Sequence, residues 1–253
     1  MIRRVAAGLI VAACLFPFGL IVMLSAGWSW PFPHLLPLWW TSAPWRSVFH
    51  GGDAIGTTFA VSCVLSATVA LIATAGSFLA ARFIAYHRRR RVLLILAYVP
   101  YVMSPVVLSV CLLYLYIRLG IDGTAAGVIL AQTILALSFG TIFFVDFWND
   151  EKLALEGLVA TLGGTTTQLY RRVLLPLSRG PLLLCFFECF LISWFQYGMT
   201  LLIGEGRVQT LSLRVFAFIS EANPAYAALA SCLLVIPPVL LLWVNKQIVR
   251  GMA

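Results

Sequence analysis

The chain has 253 residues and a formal net charge of +8, yet only 10% of its residues are charged while 62% are hydrophobic, with a mean hydropathy of +0.99. Water-soluble domains carry about a quarter of their residues as charges, so this composition excludes a soluble globular fold and indicates an integral membrane protein. The apolar windows are too long, and too poor in strict alternation, for the tilted strands of an outer-membrane barrel, which leaves an all-α membrane protein.

A helix needs roughly 20 mainly apolar residues to cross the hydrocarbon core. Six windows meet this demand, at about 5–26, 55–81, 92–117, 125–145, 181–203 and 226–244, so residues 1–253 are read as a single transmembrane domain of six helices. The first window follows Arg3 and Arg4, and its apolar core is longer than the usual 7 to 15 residues of a cleaved signal, so it is expected to be a retained helix. Trp28, Trp30, Trp39, Trp40 and Trp45 crowd the loop after it, as an interfacial aromatic belt or a partner surface would. Pro100 and Pro105 are expected to kink the third helix. "GTAAG" at 123–127 matches the small-residue packing pattern GxxxG. Late in the chain, "VQTLSLRVFAFISEA" spaces Leu211, Val215 and Ile219 along one helical face, as in a helix lying at the interface.

Lys and Arg in short flanking loops are retained on the cytoplasmic side. With the N-terminus inside, thirteen of the seventeen basic residues fall on that side: Arg3, Arg4, Arg82, Arg88 to Arg91, Lys152, Arg171, Arg172, Arg179, Lys246 and Arg250. Arg46, Arg118, Arg207 and Arg214 fall on the other, so both termini are expected in the cytoplasm. The run "HRRRR" at 87–91 then reads as a topology anchor and not as a nucleic-acid patch.

This orientation makes 146–180 the longest cytoplasmic loop. Leu153, Leu155, Leu158, Val159 and Leu162 have helical apolar spacing up to a Gly163–Gly164 break, and Thr165 to Thr167 offer a cap for a second short helix. Apolar Leu169, Val173 and Leu174 continue that helix until Pro176 is expected to stop it. A helix, a sharp turn and a short helix suit a rigid knob on the membrane face.

Polar groups are expensive inside lipid, and Glu188 is the one charge within a predicted span. It lines a translocation path, or it pairs with a neighbouring helix or stays protonated. Gln132, Gln196 and Tyr197 line a polar pathway or make interhelical hydrogen bonds, and Tyr101 and Ser104 join them as path candidates beside the prolines of the third helix. The six cysteines all fall within spans, and the three histidines, His34, His50 and His87, fall outside them, so the cysteines are read as small buried side chains and no metal site is expected. No phosphate-cradling, metalloprotease or nucleophile-elbow motif is present. The chain is accordingly not expected to be an enzyme.

The order Glu156, Gly163, a basic pair at Arg171 and Arg172, Val173, Leu175 and Pro176 resembles the EAA loop of binding-protein-dependent ABC importer permeases. Gly157, Leu158 and Val159 stand where that family tends to have Glu-Ala-Ala, with Glu156 one place earlier. The proline-bearing third helix and "WFQYGMTLLIGEGRVQTLSL" extend the likeness, most nearly to the polyamine, thiamine, phosphonate and ferric-ion branch.

The resemblance implies the type I ABC importer permease fold in a bacterial inner membrane, working as half of a translocation pathway. Gly163 and Gly164 would set a turn, Thr165, Thr167, Leu169 and Tyr170 would form the knob that docks on a cytoplasmic ABC ATPase, and Glu156, Arg171 and Pro176 would complete the docking region. The implied partners are two ATPase copies, a second permease chain, a substrate-binding protein and membrane lipid, with no nucleic acid. The chain itself would bind no cofactor, since ATP and magnesium belong to the ATPase. Two other readings remain: a secondary transporter, against which stands the want of paired broken helices or a duplicated half, and a non-transporting membrane scaffold.

Overall fold

The computed structural model describes residues 2–28, 39–49 and 55–252. Trp30, His34 and His50 lie outside these residues. The chain divides into two compact units, residues 1–62 with 209–240 and residues 63–208 with 241–253.

Among the described residues four helices are long and apolar enough to cross a membrane, over Gly8–Ala26, Ile55–Ala85, Ala125–Val145 and Pro224–Gln247. Two more spans result only if each of two bent pairs counts as one: Arg90–Val102 with Pro105–Leu119, bent by 99°, and Thr166–Leu177 with Arg179–Trp194, bent by 74°. The third predicted span, 92–117, is thus bent between Val102 and Pro105, where a proline kink is expected, whereas the second bend falls at Ser178, just before the fifth predicted span begins.

In the first unit, helix α1 (Ile2–Ala26) leads into a short antiparallel pair, β1 (Gly27–Trp28) and β2 (Trp39–Trp40), and then into α2 (Ala43–Phe49). The indole N–H of Trp45 donates to Ser25 Oγ at 3.3 Å, which ties α2 to the end of α1. Helix α3 (Ile55–Ala85) begins here, and the Leu211 N–H at the start of α12 (Leu211–Ser220) donates to its Ser62 Oγ at 2.7 Å. The buried face of α12 is Leu211, Val215 and Phe218, whereas Ile219 is exposed, so the expected Leu211–Val215–Ile219 stripe turns off its face at the last position. Phe218 packs on Tyr226 at 5.6 Å between ring centres, near the start of α13 (Pro224–Met252).

The second unit is built around α6 (Ala125–Val145), whose Val128, Ala131, Gln132, Ala136 and Phe144 are buried. It crosses α3 at close range: a Cβ on Gly140 would come within 2.8 Å of Ser77 Cβ. Small residues at such a crossing let two backbones approach, which is how helices gain packing where lipid supplies no hydrophobic drive. Gly123 stands in the turn before α6 with φ +63°, and Thr124 caps the helix by accepting from the Gly127 N–H. The "GTAAG" segment is thus a turn and a cap, and not a helix-packing stripe.

Proline chemistry explains the first break. Helix α4 (Arg90–Val102) runs through Pro100, and α5 (Pro105–Leu119) starts at Pro105. A residue before proline is pushed out of the helical region, and Ser104 has ψ 134°. Pro105 then occupies the first helical position, where its missing N–H costs nothing. The fifth predicted window ends early: α10 (Arg179–Trp194) stops at Phe195, whose N–H is shared by the carbonyls of Leu191 and Ser193, and α11 (Gly198–Gly204) follows after a gap.

Candidate functional site

The loop after α6 is built by local signals and then pinned to the end of α3. Asn149 caps α7 (Asp150–Thr161) through its side chain, which accepts from the Lys152 N–H. Gly163 ends that helix with φ +74°, a conformation that suits glycine because a Cβ would clash with the backbone there. Thr165 then starts the next helix with a capping box, its Oγ1 accepting from the Gln168 N–H while its own N–H donates to Gln168 Oε1 at 2.9 Å.

The segment from Thr166 to Leu177 is a composite: α8 (Thr166–Gln168), a π-helical turn (Leu169–Leu174) and α9 (Leu175–Leu177). Pro176 has no N–H to give, and in a regular α-helix its ring would strike the carbonyl of Arg172. The wider turn just before it relieves that collision, and Leu175 N–H bonds instead to the Tyr170 carbonyl. Pro176 therefore does not stop the helix. The stop is at Ser178, whose Oγ donates to the Leu174 carbonyl at 2.6 Å and beyond which α10 sets off at 74°.

Three contacts hold this loop to α3 and its extension. Trp148 Nε1 donates to the Phe78 carbonyl at 3.2 Å, within an aromatic cluster that includes Phe78, Phe144 and Phe147. Tyr86 Oη donates to the Asn149 carbonyl at 3.3 Å. Burial and the neighbouring Glu156 carboxylate push the Tyr86 phenol above its ordinary pKa.

The third contact is an ion pair. Arg82 Nε and Nη2 both donate to the Glu156 carboxylate, at 2.9 and 2.5 Å, and the same guanidinium lies over the Tyr170 ring at 5.8 Å. Arg82 thus joins α3, α7 and the π turn. Glu156, which the resemblance places in the docking region, pairs with Arg82 of its own chain.

What remains outward on the loop is a compact surface of Leu158, Leu162, Thr165, Thr167 and Gln168, with Leu162 78% exposed. Gly163 is exposed and Gly164 half-buried, Leu169 is buried and Tyr170 half-buried, and Arg171, Arg172 and Pro176 are exposed. Sequence reasoning found the knob but missed its anchors. Arg82 was read only as a topology signal, and Phe78, Tyr86 and Trp148 carried no motif.

The pathway candidates separate by burial. Gln132 is 1% exposed, with its Nε2 donating to Thr200 Oγ1 at 2.9 Å and its Oε1 accepting from Ser193 Oγ at 2.5 Å. Ser66 Oγ lies 3.2 Å from Ser193 Oγ, and Thr200 Oγ1 donates to the Gln196 carbonyl at 2.8 Å. Gln132 therefore ties α3, α6, α10 and α11 together, buried among its hydrogen-bond partners. Cys185 and Cys189 lie in the same interior with their Sγ atoms 3.9 Å apart.

Gln196 and Tyr197 lie in the break between α10 and α11, half-buried and off the helix they were assigned to. Gln196 Nε2 is buried and finds no partner among the described residues. Tyr101 and Ser104 flank the other break, both exposed, and α11 packs on α5 so that the two breaks lie near one another. Glu188 is exposed on α10. Among the described residues no hydrogen bond or ion pair is formed by its carboxylate.

No family model matches the chain, and no curated protein matches it. Among solved structures, a chain of the MetNI methionine ABC transporter, crystallised in inward-facing conformations, is similar in fold: the TM-score is 0.58 at 19% identity, covering 84% of this chain and 100% of that one. The chain described here thus shares an α-helical fold found in an ABC transporter.

Proposed function

We propose that the chain is the membrane-spanning permease subunit of an ATP-driven ABC importer, and that the Leu158–Tyr170 knob is its docking element for a cytoplasmic ATPase. The observation that carries this reading is the outward face of that knob, an exposed apolar and threonine surface rigidly capped and pinned to α3 by Arg82. The fold shared with a chain of the methionine transporter supports it.

In this reading both termini are cytoplasmic, six spans are made by four straight and two bent helices, and two permease chains enclose the path. Two ATPase copies supply ATP and magnesium chemistry, and a binding protein delivers a small polar solute of the polyamine, thiamine, phosphonate or ferric-ion kind. Glu188, Tyr101, Ser104, Gln196 and Tyr197 face that path, while Gln132 braces it. The membrane is the bacterial cytoplasmic one.

The test is gentle extraction of the tagged chain from its native membrane with identification of stoichiometric partners. Recovery of an ATPase that is lost when 163–170 is altered is the expected result. Recovery of the chain alone, competent for uptake in liposomes without ATP, overturns the reading. That second result belongs to a secondary transporter, whose sites are built at interrupted spans such as the one at Ser104.

A further inference from the structure

We propose that the angle between the π-turn segment and α10 is a binding site for an anionic phospholipid. Two adjoining hollows of about 400 and 480 Å³ lie there and share Leu175, Leu182 and Leu183 as walls. The first is an open, mainly apolar groove, with Leu71 and Leu79 of α3 and Phe186 of α10 among its walls and Thr74 and Tyr170 as its polar members. The second opens between Arg171 and Arg179. Both guanidiniums are exposed, and among the described residues neither has an ion pair or hydrogen bond.

The dimensions suit a lipid. The α3 wall from Leu71 to Leu79 spans about 12 Å along its axis, close to the roughly 15 Å depth of one hydrocarbon leaflet. It ends one turn short of Arg82, where the basic surface of the bundle begins. A groove lined in this way and open to the bilayer offers apolar contact to an acyl chain, and two unpaired guanidiniums beside it complement one phosphate and a second anionic or polar headgroup oxygen. The 74° bend at Ser178 creates the cleft, because a straight continuation of the helix would leave no space between Leu175 and Leu182. The site requires only residence in a membrane and does not depend on the transport reading.

Native mass spectrometry of the full-length chain in detergent, with its co-purifying partners, tests this with dioleoylphosphatidylglycerol against dioleoylphosphatidylcholine, which share their acyl chains and differ in the headgroup, anionic glycerol against zwitterionic choline. The wild-type chain is expected to retain the anionic lipid preferentially. Arg179→Gln lowers that retention about fivefold and Arg171→Gln with Arg179→Gln about twenty-five-fold, while circular dichroism stays unchanged. Ala75→Trp, which fills the apolar hollow, lowers retention of both lipids. Equal retention of the two lipids by wild type, or undiminished anionic binding in the double variant or in Ala75→Trp, overturns the proposal. Binding seen only after partner proteins are stripped away assigns the cleft to a protein and overturns it as well.

Discussion

Arg82 and Glu156 are 74 residues apart in the chain and form a two-pronged ion pair, with the Glu156 side chain 11% exposed and that of Arg82 35% exposed. The pair fixes the angle of α7 against α3, and the same guanidinium supports Tyr170 on the far side of the turn. A knob that is to transmit movement must not flex at its base. Arg82 braces both arms of this one.

Opposing the charges tests that brace. Arg82→Glu or Glu156→Arg alone is expected to lower ATP-driven uptake several-fold while the chain still inserts, and the double exchange should restore most of it. A double-mutant cycle on thermal stability should return a coupling of about 1 kcal/mol, the modest value of a partly solvated pair. No rescue by the exchange would mean that Glu156 meets another molecule.

Gly163 holds φ +74°, so Gly163→Val is expected to cost about 1–2 kcal/mol locally and to re-aim the Thr165 cap. Insertion and expression should be normal, but ATPase recovery in a pull-down should fall. Full recovery with normal uptake would remove the docking assignment.

Gln132 and Gln196 should behave oppositely. Gln132→Leu removes two buried hydrogen bonds, each worth about 0.6 kcal/mol in a membrane interior, so thermal stability should drop by about 1 kcal/mol and uptake should fall only with the folded fraction. Gln196→Leu removes a side chain whose amide nitrogen has no partner among the described residues. Uptake should change while the melting temperature holds.

Glu188 is exposed on α10, so Glu188→Gln should shift the stability of the isolated chain by less than about 0.5 kcal/mol. Solute uptake by the assembled transporter should change. A loss of assembly with uptake per complex unaltered would make Glu188 an interface residue instead.

The membrane class was legible in composition because lipid admits few charges, and the turn and cap signals of Gly163 and Thr165 were legible because helix ends are decided by neighbours in the chain. Pro105 announced a kink, and its effect on Ser104 is equally local. Hydropathy did not reveal that the fifth window breaks after Trp194, because Gln196, Tyr197 and Gly198 are too few to interrupt the average of an apolar run. Nor did it separate Gln132 from Gln196, since both are glutamines among apolar residues. Only packing decided that Gln132 meets Ser193 and Thr200, that Gly140 lets α6 approach Ser77, and that Arg82 reaches Glu156. These are contacts between residues far apart in the chain, and a side chain's partner across such a distance is set by how helices cross, which no local pattern encodes.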